Sequence, residues 1–225
     1  MLGAVAGFGG AAVLLPVLVF AFGARDAVPV LTVAQLIGNG SRVWFNRHEL
    51  NGRVVAWFAL GAVPAGFLGG LLFSRAPLAG LTRFLGAFLL AAVAWRRFRP
   101  GAFPRPSLRA FAPIGAVSAF LSALVGSVGP LMAPLFLAYG LVKGAYIGTE
   151  AMSTVVMHLT KIVAYREASV LSGPGVLAGF ALGPIMVLGS WAGKRLVDRL
   201  PERFFVLIIE GTMVAAGLAF LIRGR

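Results

Sequence analysis

Residues 110–139 read AFAPIGAVSAFLSALVGSVGPLMAPLFLAY, thirty positions without a charge, interrupted by Gly126-Ser127-Val128-Gly129-Pro130. About twenty apolar residues are enough for an α-helix to cross the hydrocarbon core of a bilayer. A glycine and proline cluster inside such a run breaks the helix at depth. Lipid cannot hydrogen-bond the freed backbone, so a break of this kind is tolerated only against protein or a water-filled cavity. The stretch therefore reads as membrane-embedded chain with an irregular, inward-facing turn.

The rest of the chain has the same grain. Apolar runs bounded by charge or turn signals fall at 2–22, 28–45, 54–73, 78–95, 110–139, 144–165, 174–193 and 204–222. Of 225 residues, 59% are hydrophobic and 12% charged, with a mean hydropathy of +0.92. Eight helices of about twenty residues use roughly 160 positions and leave no room for a soluble catalytic domain. The expected fold is an all-α membrane protein of about eight hydrophobic segments in a multispanning bundle.

Lys and Arg number 20 against 7 Asp and Glu, a net charge of +13. In a soluble chain this balance would suggest nucleic acid. Here the basic residues sit between apolar segments, where they meet anionic headgroups as positive-inside loops, so no nucleic-acid partner is expected. If the eight segments simply alternate, the basic residues split almost evenly, with a slight excess favouring both termini and the central Arg/Pro-rich stretch in the cytoplasm. With no cysteine and two histidines, no disulfide, thiol chemistry, metal site or cofactor is expected. A cleavable signal peptide is not expected either.

The two halves superpose at a shift of about 119 residues. Gly10 then meets Gly129, Asn39 meets His158, Arg42 meets Lys161 and Arg47 meets Arg166; Pro16 recurs near Pro134 and Pro64 near Pro184. The division is a first repeat over 1–97, a basic linker over 98–109 and a second repeat over 110–225. Tandem repeats with a site where they meet near the midplane are how many secondary transporters are built. The first repeat has only Met1 to Ala6 ahead of its break, so its first helix is short or starts upstream. If the pieces after the breaks are re-entrant, the repeats have opposite rather than equal orientation.

Two kinds of residue could form a site. The broken segments Gly7-Phe8-Gly9-Gly10 and Gly126 to Pro130 would aim helix N-termini into a cavity, an anion site needing no charged side chain; Gly9, Gly10, Gly129 and Pro130 are its members. Polar stripes at helical spacing supply the rest: Thr32, Gln35, Asn39 and Arg42 in one repeat, Glu150, Thr154, His158 and Lys161 in the other. Asn39 and His158 would donate at depth, while Arg42 and Lys161, nearer the helix ends, would draw anions in. A proton-coupled carrier also needs a group that titrates within the membrane, for which His158, Glu150 and Glu210 are the candidates. Pro64 and Pro184 should kink their spans, whereas Pro29 is expected to start one.

On Gly7-Phe8-Gly9-Gly10 with Pro16, Asn39 with Arg42, Gly129-Pro130-Leu131-Met132-Ala133-Pro134 with Gly140, and Thr149-Glu150-Ala151 followed by Met157-His158-Leu159-Thr160-Lys161, the chain resembles the sulfite exporter TauE/SafE family of bacterial membrane proteins. The resemblance covers essentially the whole chain. It implies export or exchange of sulfite, sulfonates or related small organic anions across the cytoplasmic membrane, the partners being that anion, the bilayer and, if transport is coupled, protons. The residues alone leave other readings open: a passive anion channel with the same lining, a scaffold subunit, or an intramembrane enzyme. The last is disfavoured because His158 with Ser153 does not make a catalytic constellation.

Overall fold

The computed structural model describes residues 9–98, 105–197, 211, 214–215 and 217–222. Among them the ordered elements are helices α1 (Gly9–Phe22), α2 (Ala24–Phe45), α3 (Gly52–Arg75), α4 (Leu78–Phe98), α5 (Phe111–Val125), α6 (Gly129–Tyr139), α7 (Lys143–Glu167) and α8 (Gly173–Val197), with short 3-10 turns at Arg47–Glu49 and Leu108–Ala110. The described structure is all helical. Leu, Ala, Phe and Gly dominate these segments, and a helix satisfies its own backbone, the requirement lipid imposes. By length and composition alone, Gly52–Arg75 and Leu108–Val125 are candidate membrane spans.

Helix directions follow from which residues touch. Arg42 on α2 reaches Glu150 on α7 while Asn39 meets His158, so α2 and α7 cross antiparallel. Gly66 on α3 faces Thr160 and Gly70 faces Ala164, so α3 runs parallel to α7. Gly175, Gly179 and Gly183 on α8 face Val30, Val33 and Ile37, so α8 runs parallel to α2. Thus α2 and α7 form the centre, each backed by one parallel helix. Their buried residues include Thr32, Gln35, Asn39, Glu150, Thr154, His158 and Lys161, whereas large side chains such as Leu60, Leu68, Leu72, Phe180, Ile185 and Leu188 are exposed on the flanking helices, an outer surface suited to lipid.

The apolar run over 110–139, read as broken at Gly126 to Pro130, is two helices. α5 ends at Val125, followed by Gly126 as its cap at φ +83, and α6 starts at Gly129. Phe111, at the start of α5, packs its ring 5.1 Å from Phe136 and 5.2 Å from Tyr139, at the end of α6. The pair is therefore a hairpin whose two ends lie together. This doubling back changes the expected distribution of charge. With α3, α5 and α7 parallel, Arg53, Arg109 and Lys143 share one end of the molecule, together with Arg47 after α2 and Lys194 and Arg195 near the end of α8. Arg25, Arg75 and Arg166 lie at the other end, where Arg25 donates to the carbonyls of Ser74 and Ala76 at 3.0 Å each. Simple alternation had put Arg166 with Arg53 and Lys143 opposite. A second difference is Pro29, which lies inside α2 rather than at its start, since α2 begins at Ala24.

α3 and α5 approach most closely. A Cβ on Gly61 would overlap the Ala112 carbonyl, and one on Gly115 would overlap that of Phe58. Small residues let backbones meet where lipid gives no hydrophobic drive for association. Gly115→Val is expected to lower stability by about 1–3 kcal/mol, the range for overpacking, or to prevent folding; Gly40→Ala, at a position with open space around it, should not. Thermal unfolding in detergent micelles distinguishes the two.

Candidate functional site

The hairpin tip is the local structure on which the site depends. At the end of α5 the carbonyls of Ala123 and Gly126 need donors, and α7 supplies one to each; the Ser122 carbonyl, which accepts from the Gly126 N–H at 2.8 Å, receives a second donor from the same helix. Lys161 Nζ donates to the Ser122 carbonyl at 3.3 Å, the Ser122 hydroxyl at 2.9 Å and the Gly126 carbonyl at 3.2 Å. Three acceptors match the three N–H bonds of an ammonium. One turn on, the Tyr165 hydroxyl donates to the Ala123 carbonyl, and from α2 the Gln35 amide donates to the Gly126 carbonyl at 3.4 Å. Lys161 is 0% exposed. It was expected toward a cavity mouth; it is instead enclosed at the tip of the hairpin, because that tip reaches the depth of its turn of α7.

A cavity of about 30 Å³ lies between α2, α7 and the hairpin. Gln35, Asn39 and Arg42 line it from α2, Ser122 from α5, Ser127, Val128, Gly129 and Ala133 from the break and α6, and Tyr146, Glu150, Thr154, Met157 and His158 from α7. Pro130 stands in the first turn of α6, behind Gly129. Gly9 and Gly10 open α1, whereas Gly7, Phe8 and Glu210 lie outside the described residues. On the scale where one water takes about 10–15 Å³, the space holds two or three waters. An oxyanion of four heavy atoms would fill it with no hydration shell left, so protein donors would have to replace its water.

The donors can be assigned from their neighbours. Arg42 Nη1 donates to Asn39 Oδ1 at 3.0 Å, and Asn39 Nδ2 donates to the Gln35 carbonyl at 2.9 Å. A guanidinium only donates and a carbonyl only accepts, so the Asn39 amide has one orientation. Its second N–H then points at His158 Nε2, 3.4 Å away, which must be the nitrogen without a proton. The neutral ring carries its hydrogen on Nδ1. His158 is 1% exposed, and Nδ1 has no partner among the described residues.

Charged groups also line this space. Arg42 Nη2 pairs with Glu150 Oε2 at 3.0 Å, the side chains being 15% and 8% exposed. Glu150 Oε1 accepts from Thr154 at 3.2 Å. Lys161 has no carboxylate partner among the described residues. The charged groups that line the cavity are thus one carboxylate, Glu150, and one guanidinium, Arg42, paired with each other.

The two stripes read from helical spacing do come together, and Asn39, Arg42, Gly129, Glu150 and His158 share one cavity. Sequence reasoning missed Ser122, Tyr146 and Tyr165. Ser122 could have been found as a polar residue one turn before a glycine break inside an apolar run; Tyr146, one turn before Glu150 on the same face, continues the α7 stripe.

Broken helices, an inward polar face and an outward apolar one define a membrane protein with an internal polar cavity. The sequence model of the sulfite exporter TauE/SafE family matches residues 1–220, and the chain belongs to that family. Membership implies a membrane transporter of sulfite or other sulfur anions. Searches of curated proteins and of solved structures gave no match.

If Lys161 holds the break together, Lys161→Met should cost roughly 1–2 kcal/mol, since the Ser122 and Gly126 carbonyls each lose one donor and keep another, from the Gly126 N–H and the Gln35 amide, and Ser122→Ala about 1 kcal/mol, since it removes one acceptor of three. Equal melting temperatures for wild type and Lys161→Met in detergent would show that the break is supported in another way.

Proposed function

We propose that the protein is a secondary transporter that exports sulfite or a related small sulfur anion across the cytoplasmic membrane by alternating access. The observation that carries this reading is an unpartnered buried donor, His158 Nδ1, in a polar cavity that the Arg42 guanidinium also lines. Burying a polar group without a partner is costly, and an anion in the cavity would offset that cost. Its oxygens would take hydrogen bonds from His158 Nδ1, from guanidinium N–H groups of Arg42 and from the Gly129 amide at the start of α6, where the helix dipole is positive. Lys161 would act through its charge and by holding the hairpin, without touching the substrate.

The chain reads as two repeats, 1–97 and 110–225, joined by the linker 98–109. Residues related by the 119-residue shift, Asn39 and His158, touch, as residues on a pseudo-twofold axis do. α2 and α7 are antiparallel, and α8 backs α2 as α3 backs α7. Each of these observations supports repeats of opposite orientation, with the cavity on the axis between them. Exchange of the two arrangements would open the cavity to one side and then the other. The end bearing Arg47, Arg53, Arg109 and Lys143 fits the cytoplasmic face. If protons are coupled, His158 and Glu150 are the groups at the cavity that could carry them, and Glu210 remains a candidate on sequence alone. The protein acts as a carrier and not as an enzyme.

Sulfite flux in liposomes tests the reading. His158→Ala is expected to reduce kcat/KM at least tenfold, about 1.4 kcal/mol of lost stabilisation, while the protein remains monodisperse; unchanged flux would return His158 to a packing role. A pH gradient should alter the rate if transport is coupled, whereas very fast, gradient-insensitive flux would indicate a channel. The chain has no cysteine, so single cysteines can report orientation directly. Cysteines replacing Arg53 and Lys143 should label from the same side of the membrane, and one replacing Arg166 from the other.

A further inference from the structure

We propose that Glu150 is a tethered anion that occupies Arg42 until the transported anion displaces it, so that loading of substrate and release of the Arg42–Glu150 pair are one exchange. The proposal rests on the cavity being the anion site and adds to it a competitor built into the chain.

Four observations converge on it. Both partners line the cavity, so an anion there would lie beside the guanidinium that Glu150 now engages. Glu150 comes from α7 and Arg42 from α2, so their bond at 3.0 Å ties the two antiparallel central helices together across the cavity. Arg42 has a second anchor, Asn39 Oδ1 at 3.0 Å on its own helix, which would hold the guanidinium in place after Glu150 leaves. Glu150 likewise has a second anchor, Thr154 at 3.2 Å, one turn along α7, which gives the displaced carboxylate a partner on its own side. Each half of the ion pair is thus supported by its own helix and needs the other only for charge.

The consequence is a gate that responds to charge. While Glu150 sits on Arg42, α2 and α7 are joined and the anion site is occupied from within. A sulfur oxyanion brings an equivalent negative charge on oxygens of similar spacing, takes the guanidinium, and breaks the tie between helices. Its apparent affinity is lowered by the fraction of time that Glu150 holds the site.

Equilibrium binding of sulfite to the purified, detergent-solubilised protein, measured calorimetrically, tests this. Glu150→Gln keeps the shape and removes the charge, and should tighten sulfite binding by about tenfold or more. Glu150→Asp draws the carboxylate back by one methylene and should tighten it by less, so that the order runs Gln, Asp, wild type. If wild type binds sulfite and neither variant binds more tightly, Glu150 is not a competitor and the proposal falls; the Asp variant alone suffices for this if the Gln variant does not fold. If wild type binds no sulfite and also shows no flux, the failure lies with the anion site itself.

Discussion

A backbone cannot be left unpaired in a medium that offers no hydrogen bonds, and the turn between α5 and α6 is where this constraint acts. Gly126, at φ +83, lets the chain leave α5 in a conformation other residues rarely adopt. The carbonyls it frees are then met by Lys161, Gln35 and Tyr165. Those three donors come from the two central helices, so the same bonds that make the break tolerable also fix the hairpin against α2 and α7. The cavity is the space left between the tip and the helix crossing. Remove the break and there is neither a cavity nor a reason for a lysine to lie fully buried.

The polar stripes follow from the same constraint. A residue such as Asn39 is expensive in hydrocarbon unless each of its groups is paired. Its amide meets Arg42, the Gln35 carbonyl and His158, which satisfies every strong donor and acceptor it has except one lone pair. His158 receives from Asn39 and is left with a free N–H. The shortage is therefore passed along the network to a single atom, and that atom belongs to a residue lining the cavity. A fully satisfied network would only have held two helices together; this one ends in a donor.

Much of this was legible before any coordinates. Spacing of ten and eleven residues across Thr32 to Arg42 and Glu150 to Lys161 identified the inward faces, and the glycines at 126 and 129 identified the break. The membrane class followed from hydropathy, and the family from short motifs in order. Lys161 was misread because a sequence gives distance along a helix but not the depth of its neighbours. Eleven residues from Glu150 looked close to the helix end, yet the hairpin tip lies at that level. For the same reason the course of 110–139 after its break stays open in the sequence: hydropathy does not distinguish a helix that continues after a break from one that returns. The Arg42–Glu150 pair was equally invisible, since the two residues lie 108 positions apart and on different helices.

The Arg42–Glu150 pair at the cavity fits the proposed exchange better than a simple pore. A pore that conducts anions needs a positive lining that stays available, whereas here the more accessible cation is already held by a carboxylate and the other is enclosed by carbonyls. Under the proposed exchange, entry of an anion would break the bond joining α2 to α7. Those helices carry the remaining packing with them, α2 through α8 and α7 through α3 and α5. A local substitution of one anion for another thereby acts on the contact between two larger bodies, which is the coupling a carrier requires and a fixed pore does not.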